Sequence, residues 1–266
     1  MNFRDYTVLG KTGLQVSRLG VASGYGVPSS AVEKAYHQYG VNYFFWSSPR
    51  FRGGGMRDAV RQLGKTERDK MVIALQTYDH QGMFMGHFLE KGLGTLNIEF
   101  ADILILGWFN YVPGSRVIDT ALKLKEEGKV RYIGMSGHNR KTFGKMAVQP
   151  DCPVDVFMTR YNAVHHGAEK DIFPLLPDQN RPGITTYTTT CWGKLLKADN
   201  MPTGETPPSS ADCYRFSMSN DNVNLCLTGP KNDKEMDQAL QALDKGPLSA
   251  DEMDRMRRIG DHIYKK

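Results

Sequence analysis

Long apolar runs are missing from this 266-residue sequence, and no stretch approaches the roughly 20 residues that a membrane-spanning helix needs. No apolar signal region follows the first five residues, so we expect a cytoplasmic protein. The basic residues are scattered, and the formal net charge is only +5. A nucleic-acid-binding protein usually has a stripe or tail of basic residues. We therefore expect neither a membrane nor a nucleic acid as partner.

Cysteine is also scarce, and the four residues Cys152, Cys191, Cys213 and Cys226 lie far apart without a Cys-x-x-Cys spacing. This pattern argues against a zinc site and an iron–sulfur cluster. We predict buried free thiols and no metal.

Short apolar runs do alternate with amphipathic stretches of helical spacing, which is typical of βα units and a parallel sheet. Each run is apolar on both faces, as a buried parallel strand is. The predicted fold is an α/β (β/α)₈ TIM barrel, formed by residues 1–266 as a single domain. The eight predicted strands are 18–22, 43–45, 71–75, 103–106, 132–135, 154–158, 184–187 and 224–227.

Other segments add to this barrel. Residues 6–17 predict an N-terminal β-hairpin that plugs the N-terminal end of the barrel. Residues 117–127 predict a helix that ends at Gly128, and 233–243 and 250–262 predict two C-terminal helices. The Pro-rich stretch 201–208 predicts a long loop after the seventh strand.

Several phrases of the sequence resemble the aldo-keto reductase family, in the right order and over nearly the whole chain. They are LGKTGLQVSRLG at 9–20, GVNYF at 40–44, ERDKMVIA at 67–74, GTL at 94–96 with ADIL at 101–104, and GKVRYIGMS at 128–136. The resemblance implies the barrel fold and transfer of hydride from a nicotinamide to a carbonyl. In that reaction a Tyr donates the proton, an Asp and a Lys tune the Tyr, and a His orients the substrate.

All four catalytic side chains that the resemblance implies are replaced. Phe45 stands at the Asp position, Arg50 at the Tyr position, Gln76 at the Lys position and Gly107 at the His position. Phe45 and Gly107 have no proton to give, and Gln76 does not titrate. Arg50 stays protonated, so it is a poor general acid but a good anion binder. We expect little carbonyl reduction by the family's route.

The resemblance implies NADP as cofactor, with five binding residues: Ser136, Tyr187, Gly229, Lys231 and Asn232. A helix N-terminus with a nearby Lys suits a phosphate. The pocket is nevertheless partly changed. Four positions depart from the family's usual residues: Gly137, Met158, Glu235 and Ala239.

The C-terminal ends of the strands, where barrels of this class hold their active sites, carry aromatics, amides and cations. This composition predicts a pocket for a small-molecule ligand or substrate. Arg50 and Arg160 together would clamp an oxyanion. The catalytic candidates are Arg50, Tyr78, His138 and His165.

Four hypotheses remain open at this point. The chain is a non-reducing homologue that binds a small polar or anionic compound at the barrel mouth, or an NADP-dependent oxidoreductase with an unfamiliar proton donor, Tyr78 or His138. Alternatively it runs a lyase or isomerase step with His165 and Asp79, or it is a structural or regulatory subunit. The sequence does not choose between them.

Overall fold

A computed structural model describes residues 2–47 and 53–265. Eight parallel strands close into a barrel in which the last strand pairs with the first, as predicted. The predicted strand ends are correct to within two residues. The strands are β1 (Thr7–Val8) and β2 (Gln15–Val16), which form the antiparallel hairpin, and the barrel strands β3 (Leu19–Ala22), β4 (Tyr43–Trp46), β5 (Val72–Thr77), β6 (Ala101–Leu106), β7 (Val130–Gly137), β8 (Val156–Arg160), β9 (Gly183–Tyr187) and β10 (Leu225–Thr228).

Helices surround the barrel. The predicted helices at 117–127, 233–243 and 250–262 are confirmed with slightly different ends, and Gly128 has the left-handed φ of 72° expected after a helix. None of the helices in the described part of the chain has the length and apolar character needed to cross a bilayer. The helices are α1 (Ser29–Tyr39), α2 (Gly54–Glu67), α3 (Met85–Leu96), α4 (Ser115–Glu126), α5 (Arg140–Ala147), α6 (Ala168–Asp171), α7 (Ser210–Met218), α8 (Asp233–Lys245) and α9 (Ala250–Lys265).

The N-terminal hairpin closes one end of the barrel, as the sequence predicts. Leu9, Leu14 and Val16 belong to the same buried cluster as the inward-facing residues of the barrel strands. Gly10 allows this close approach, because it has a φ of 50° and a Cβ there would run into the backbone of Gly183. Access to the barrel interior is therefore from the opposite, C-terminal end.

All four cysteines are free and buried, which confirms the prediction of unpaired thiols. Burial raises the pKa of the Cys226 thiol to about 12 and shifts the pKa values of the other three upward as well. These thiols are protonated at neutral pH and act as small apolar side chains.

The loop at 201–208 lies against α9. Arg255 of that helix pairs with Glu205 at 3.1 Å and donates a hydrogen bond to the carbonyl of Thr206 at 2.6 Å. These contacts hold the middle of the loop against α9.

Candidate site at the C-terminal mouth of the barrel

A cavity of about 620 Å³ occupies the C-terminal mouth. Its apolar floor consists of Ala22, Phe45, Met158 and Leu227, which all point inward because side chains alternate along a strand. Exposed aromatic rings, hydroxyls and an amide line the walls above this floor. An apolar base with a few polar groups above it is typical of a small-molecule pocket.

Two positions implied in catalysis, 76 and 107, are in contact with each other. The side chain of Gln76 lines the cavity and lies over Gly107. A Cβ added at Gly107 would come 2.7 Å from the Nε2 of Gln76 and 2.7 Å from the carbonyl oxygen of Thr77. The end of β6 therefore has no room for a larger side chain in this arrangement. Phe45 is buried in the floor, and Arg50 lies outside the described residues.

Of the five predicted cofactor residues, four line the cavity: Ser136, Tyr187, Gly229 and Lys231. The Oγ of Ser136 accepts a hydrogen bond from the amide of Trp108 at 3.2 Å. The Tyr187 hydroxyl donates to the carbonyl of Gly137 at 3.0 Å, which fixes the ring. At Gly137, a Cβ would collide with the carbonyl oxygen of Phe109, so the backbone excludes the Asn that the family resemblance implies there.

At the other end of the cavity, the start of α8 is already occupied by an acidic side chain. Glu235 accepts a hydrogen bond from the backbone amide of Lys231 at 2.9 Å. Asn232 caps the helix by accepting from the amide of Glu235 at 2.9 Å, and Asp233 adds a second acid to the first turn. Acids near a helix N-terminus are stabilising, and they repel a phosphate from the same place. Gly229 and Lys231 also line this end of the cavity, so a cation is present, but Glu235 already occupies the backbone amide of Lys231.

Tyr25 narrows the same end of the mouth. Its ring lies directly on Gly229, so a Cβ at Gly229 would collide with it. Tyr25 is not among the site residues predicted from the sequence. Its position just after the end of β3 was the available signal, because strand ends of this type line the mouth.

Tyr78 and Trp108 form an aromatic wall on the side of β5 and β6. Their ring centroids are 5.0 Å apart in an edge-to-face arrangement, and both side chains are exposed. Burial and the neighbouring Tyr25 raise the pKa of Tyr78. Tyr78 is thus the one predicted catalytic residue that lines the cavity with a hydroxyl proton.

His138 and His165 do not line the cavity. The Nδ1 of His138 lies 3.0 Å from the Tyr187 hydroxyl. His165 lies behind the cavity wall, with its Nδ1 3.9 Å from the Sγ of Cys191 and its ring against Tyr264 of α9. Burial and the charge of Arg160 lower the pKa of His165 to about 4.

Asp79, the acid considered for a lyase or isomerase step, has a structural role. Its carboxylate accepts hydrogen bonds from the backbone amides of Gln81, Gly82 and Phe84 at 2.9, 3.1 and 2.6 Å. It is buried and shapes the loop that follows β5. The structure therefore does not bring Asp79 and His165 together as an acid–base pair.

Across residues 2–47 and 53–265, no group of three or more His, Cys, Asp or Glu side chains is arranged to hold a metal ion.

A closed parallel barrel with a pocket at its C-terminal mouth defines the (β/α)₈ class. A model of the aldo/keto reductase family matches residues 29–211, more than half of the chain. The chain belongs to this family, as its sequence phrases indicated.

Solved structures agree with this fold. An aldo/keto reductase from Klebsiella pneumoniae in complex with NADP and acetate superposes with a TM-score of 0.77 at 18% identity, over 97% of this chain and 96% of that one. A second structure from this organism, in complex with NADPH, gives a TM-score of 0.77 at 19% identity, over 97% and 95%. The apo form of an aldo-keto reductase from Bacillus halodurans gives 0.77 at 17% identity, over 96% and 95%. No curated protein sequence matches the chain.

Proposed function

We propose that this aldo/keto reductase homologue binds a small polar or anionic compound at the mouth of the barrel and does not reduce carbonyls by the family's route. The contact between Gln76 and Gly107 carries the proposal, because it involves two positions at which the resemblance implies a Lys and a His. The side-chain amide of Gln76 fills the space that a side chain at position 107 would need. Together with Phe45 in the floor, these residues supply no proton to a substrate oxygen.

The aromatic and hydroxyl groups of the mouth support ligand binding. The cavity volume of about 620 Å³ lies within the range of small-molecule pockets, about 300–1,000 Å³. Tyr187 is held by its hydroxyl and presents its ring to the cavity, so a flat ligand meets a fixed surface.

One observation favours the second candidate, an NADP-dependent oxidoreductase with an atypical proton donor. Ser136, Tyr187 and Tyr78 line one cavity, so a nicotinamide on Tyr187 would share it with a hydroxyl donor. The occupied helix N-terminus at Glu235 argues against this candidate, because the phosphates lose the amide that they would use.

Two measurements separate the candidates. The first follows the melting temperature with increasing NADPH, since a ligand that binds only the folded chain stabilises it. The second follows NADPH oxidation with small aldehydes. The proposal expects no stabilisation at millimolar NADPH and no turnover above a buffer control. Turnover that is lost in Tyr78→Phe but retained in Tyr111→Phe, a tyrosine outside the cavity lining, would replace the proposal with the second candidate.

A further inference from the structure

Arg160 is the last residue of β8 and stands one layer above the cavity floor. Met158, two residues earlier, lines the floor, and side chains alternate along a strand, so Arg160 faces the same side. It pairs in register with Tyr187, which also lines the cavity. Arg160 is not itself among the lining residues, and the half-buried side chain lies just outside the cavity, against Trp192, which does line it.

This guanidinium is held by an aromatic ring and not by an acid. Its Cζ lies 5.6 Å from the ring centroid of Trp192, a cation–π contact that restricts its position. Among residues 2–47 and 53–265 no carboxylate forms an ion pair with it, in contrast to Arg140, which is paired with Asp171. Its hydrogen-bonding edge is free to take an external oxyanion.

The charges around the cavity are unevenly distributed. Partial burial and the charge of Arg160 lower the pKa of His138, and the pKa of His165 is lowered as well, so both rings are neutral at pH 7. The only acid among the described lining residues is Glu235, which is bound to the Lys231 amide at the β10 end. Lys231 lines the same end as Glu235, so the two opposite charges offset each other there, whereas no lining acid offsets the charge of Arg160 on the other side.

The segment that follows β9, which carries Trp192, has a strained backbone. Thr188, Cys191 and Trp192 have left-handed φ values of 60°, 52° and 53°, and Gly193 follows at 80°. Non-glycine residues in this region cost about 1–3 kcal/mol each and are concentrated at ligand sites. Cys191 is buried, but Trp192 is 61% exposed, so the strain at Trp192 does not serve its own burial.

We propose that Arg160, positioned by Trp192, is the anchor for the carboxylate of a small ligand whose apolar or aromatic body lies on the floor formed by Phe45, Met158 and Leu227. This inference rests on the proposed function and names the ligand class for the same cavity. A single planar guanidinium matches the two oxygens of one carboxylate.

The test compares benzoate with benzamide, two probes of nearly the same shape that differ in charge, by isothermal titration calorimetry. Wild-type protein is expected to bind benzoate at least about tenfold more tightly than benzamide, since one charge-assisted bidentate contact contributes about 1.4 kcal/mol or more. Arg160→Gln should abolish the preference. Arg160→Lys should retain part of it, because the charge remains while the bidentate geometry is lost.

The matched control is Arg116→Gln, which removes the same charge from an exposed position on α4 and should keep the preference. Equal binding of both probes to wild type, or a preference that survives Arg160→Gln, overturns the anchor while leaving mouth binding intact. Fragments of this size are expected to bind with a dissociation constant of about 1 mM or lower. If neither probe binds the wild type at ten times that concentration, the ligand class is overturned. Inorganic phosphate that competes with benzoate at equal concentration also overturns the preference for a carboxylate.

Discussion

Replacing Gly107 with alanine tests whether the end of β6 has room for the side chain that carbonyl reduction needs. The added Cβ would lie 2.7 Å from the Gln76 Nε2 and 2.7 Å from the Thr77 carbonyl oxygen. The Gln76 amide can swing away, but Thr77 belongs to the neighbouring barrel strand and accepts a hydrogen bond from the Gly107 amide at 2.8 Å. Part of the clash is therefore with backbone that cannot move without disturbing the sheet.

The expected cost follows from these two contacts. Overpacking in a dense core destabilises by about 1–3 kcal/mol. A Gly-to-Ala change also reduces the entropy of the unfolded chain, which stabilises the fold by about 0.4–1 kcal/mol. The free energy of unfolding should therefore fall by about 1–2 kcal/mol. Adding Gln76→Ala to Gly107→Ala should restore only the stability that is lost through the clash with the Gln76 side chain, since the clash with the Thr77 carbonyl oxygen remains.

Urea denaturation measures the free energy of unfolding of Gly107→Ala and of the double variant with Gln76→Ala. Gly64→Ala is the matched control. Gly64 lies inside α2 with open space around its Cβ position, so alanine there should stabilise by about 0.5–1 kcal/mol. If Gly107→Ala is as stable as wild type, or gains stability as Gly64→Ala does, the strand end has room. Position 107 would then accommodate a larger side chain, contrary to the expectation.

Three further predictions concern the cofactor end, the last helix and pH. Glu235→Gln should bring NADPH binding that the wild type is expected to lack, because it removes a repulsion of about 1 kcal/mol, the value for two charges near 4 Å in water. A rise in melting temperature at millimolar NADPH checks this, and Asp237→Asn on the same helix should behave like the wild type. Arg257→Ala should lower the free energy of unfolding, measured in urea, by about 1–2 kcal/mol, because the partly exposed carboxylate of Glu169 loses both hydrogen bonds from the guanidinium. In the control Arg258→Ala, at an exposed position, the free energy of unfolding should change by less than about 0.5 kcal/mol. The folded-state pKa of His165 is about 4 against about 6.5 unfolded, so its contribution to stability is complete above pH 6.5 and is lost as the pH falls toward 4. Melting temperatures across that range should fall less steeply in His165→Gln, and parallel slopes would contradict the assignment.

The sequence predicts the barrel well because each strand is buried on both faces and therefore stands out as a short apolar run. The strand at 103–106 is an example: the structure extends it only to Ala101–Leu106. The hairpin was predictable for a local reason, since the Gly residues at 10 and 13 both have positive φ.

The site was only partly predictable, because its decisive contacts lie between strands. That Gln76 fills the space above Gly107 depends on the register of β5 against β6, which no single segment encodes. The role of Asp79 depends on a turn that brings three amides to one carboxylate. His165 follows a strand end, yet it packs against a tyrosine near the C-terminus of α9.

The pairing of β3 with β10 has a consequence for how this chain folds. Leu19 and Cys226 are partners in that pairing, so the first barrel strand keeps one unpaired edge until almost the whole sequence has been synthesised. Contacts between such distant segments form slowly, because a long loop must close first. During synthesis on the ribosome, the final sealing step therefore waits for the eighth strand, and partly made chains are the species most prone to associate through that edge.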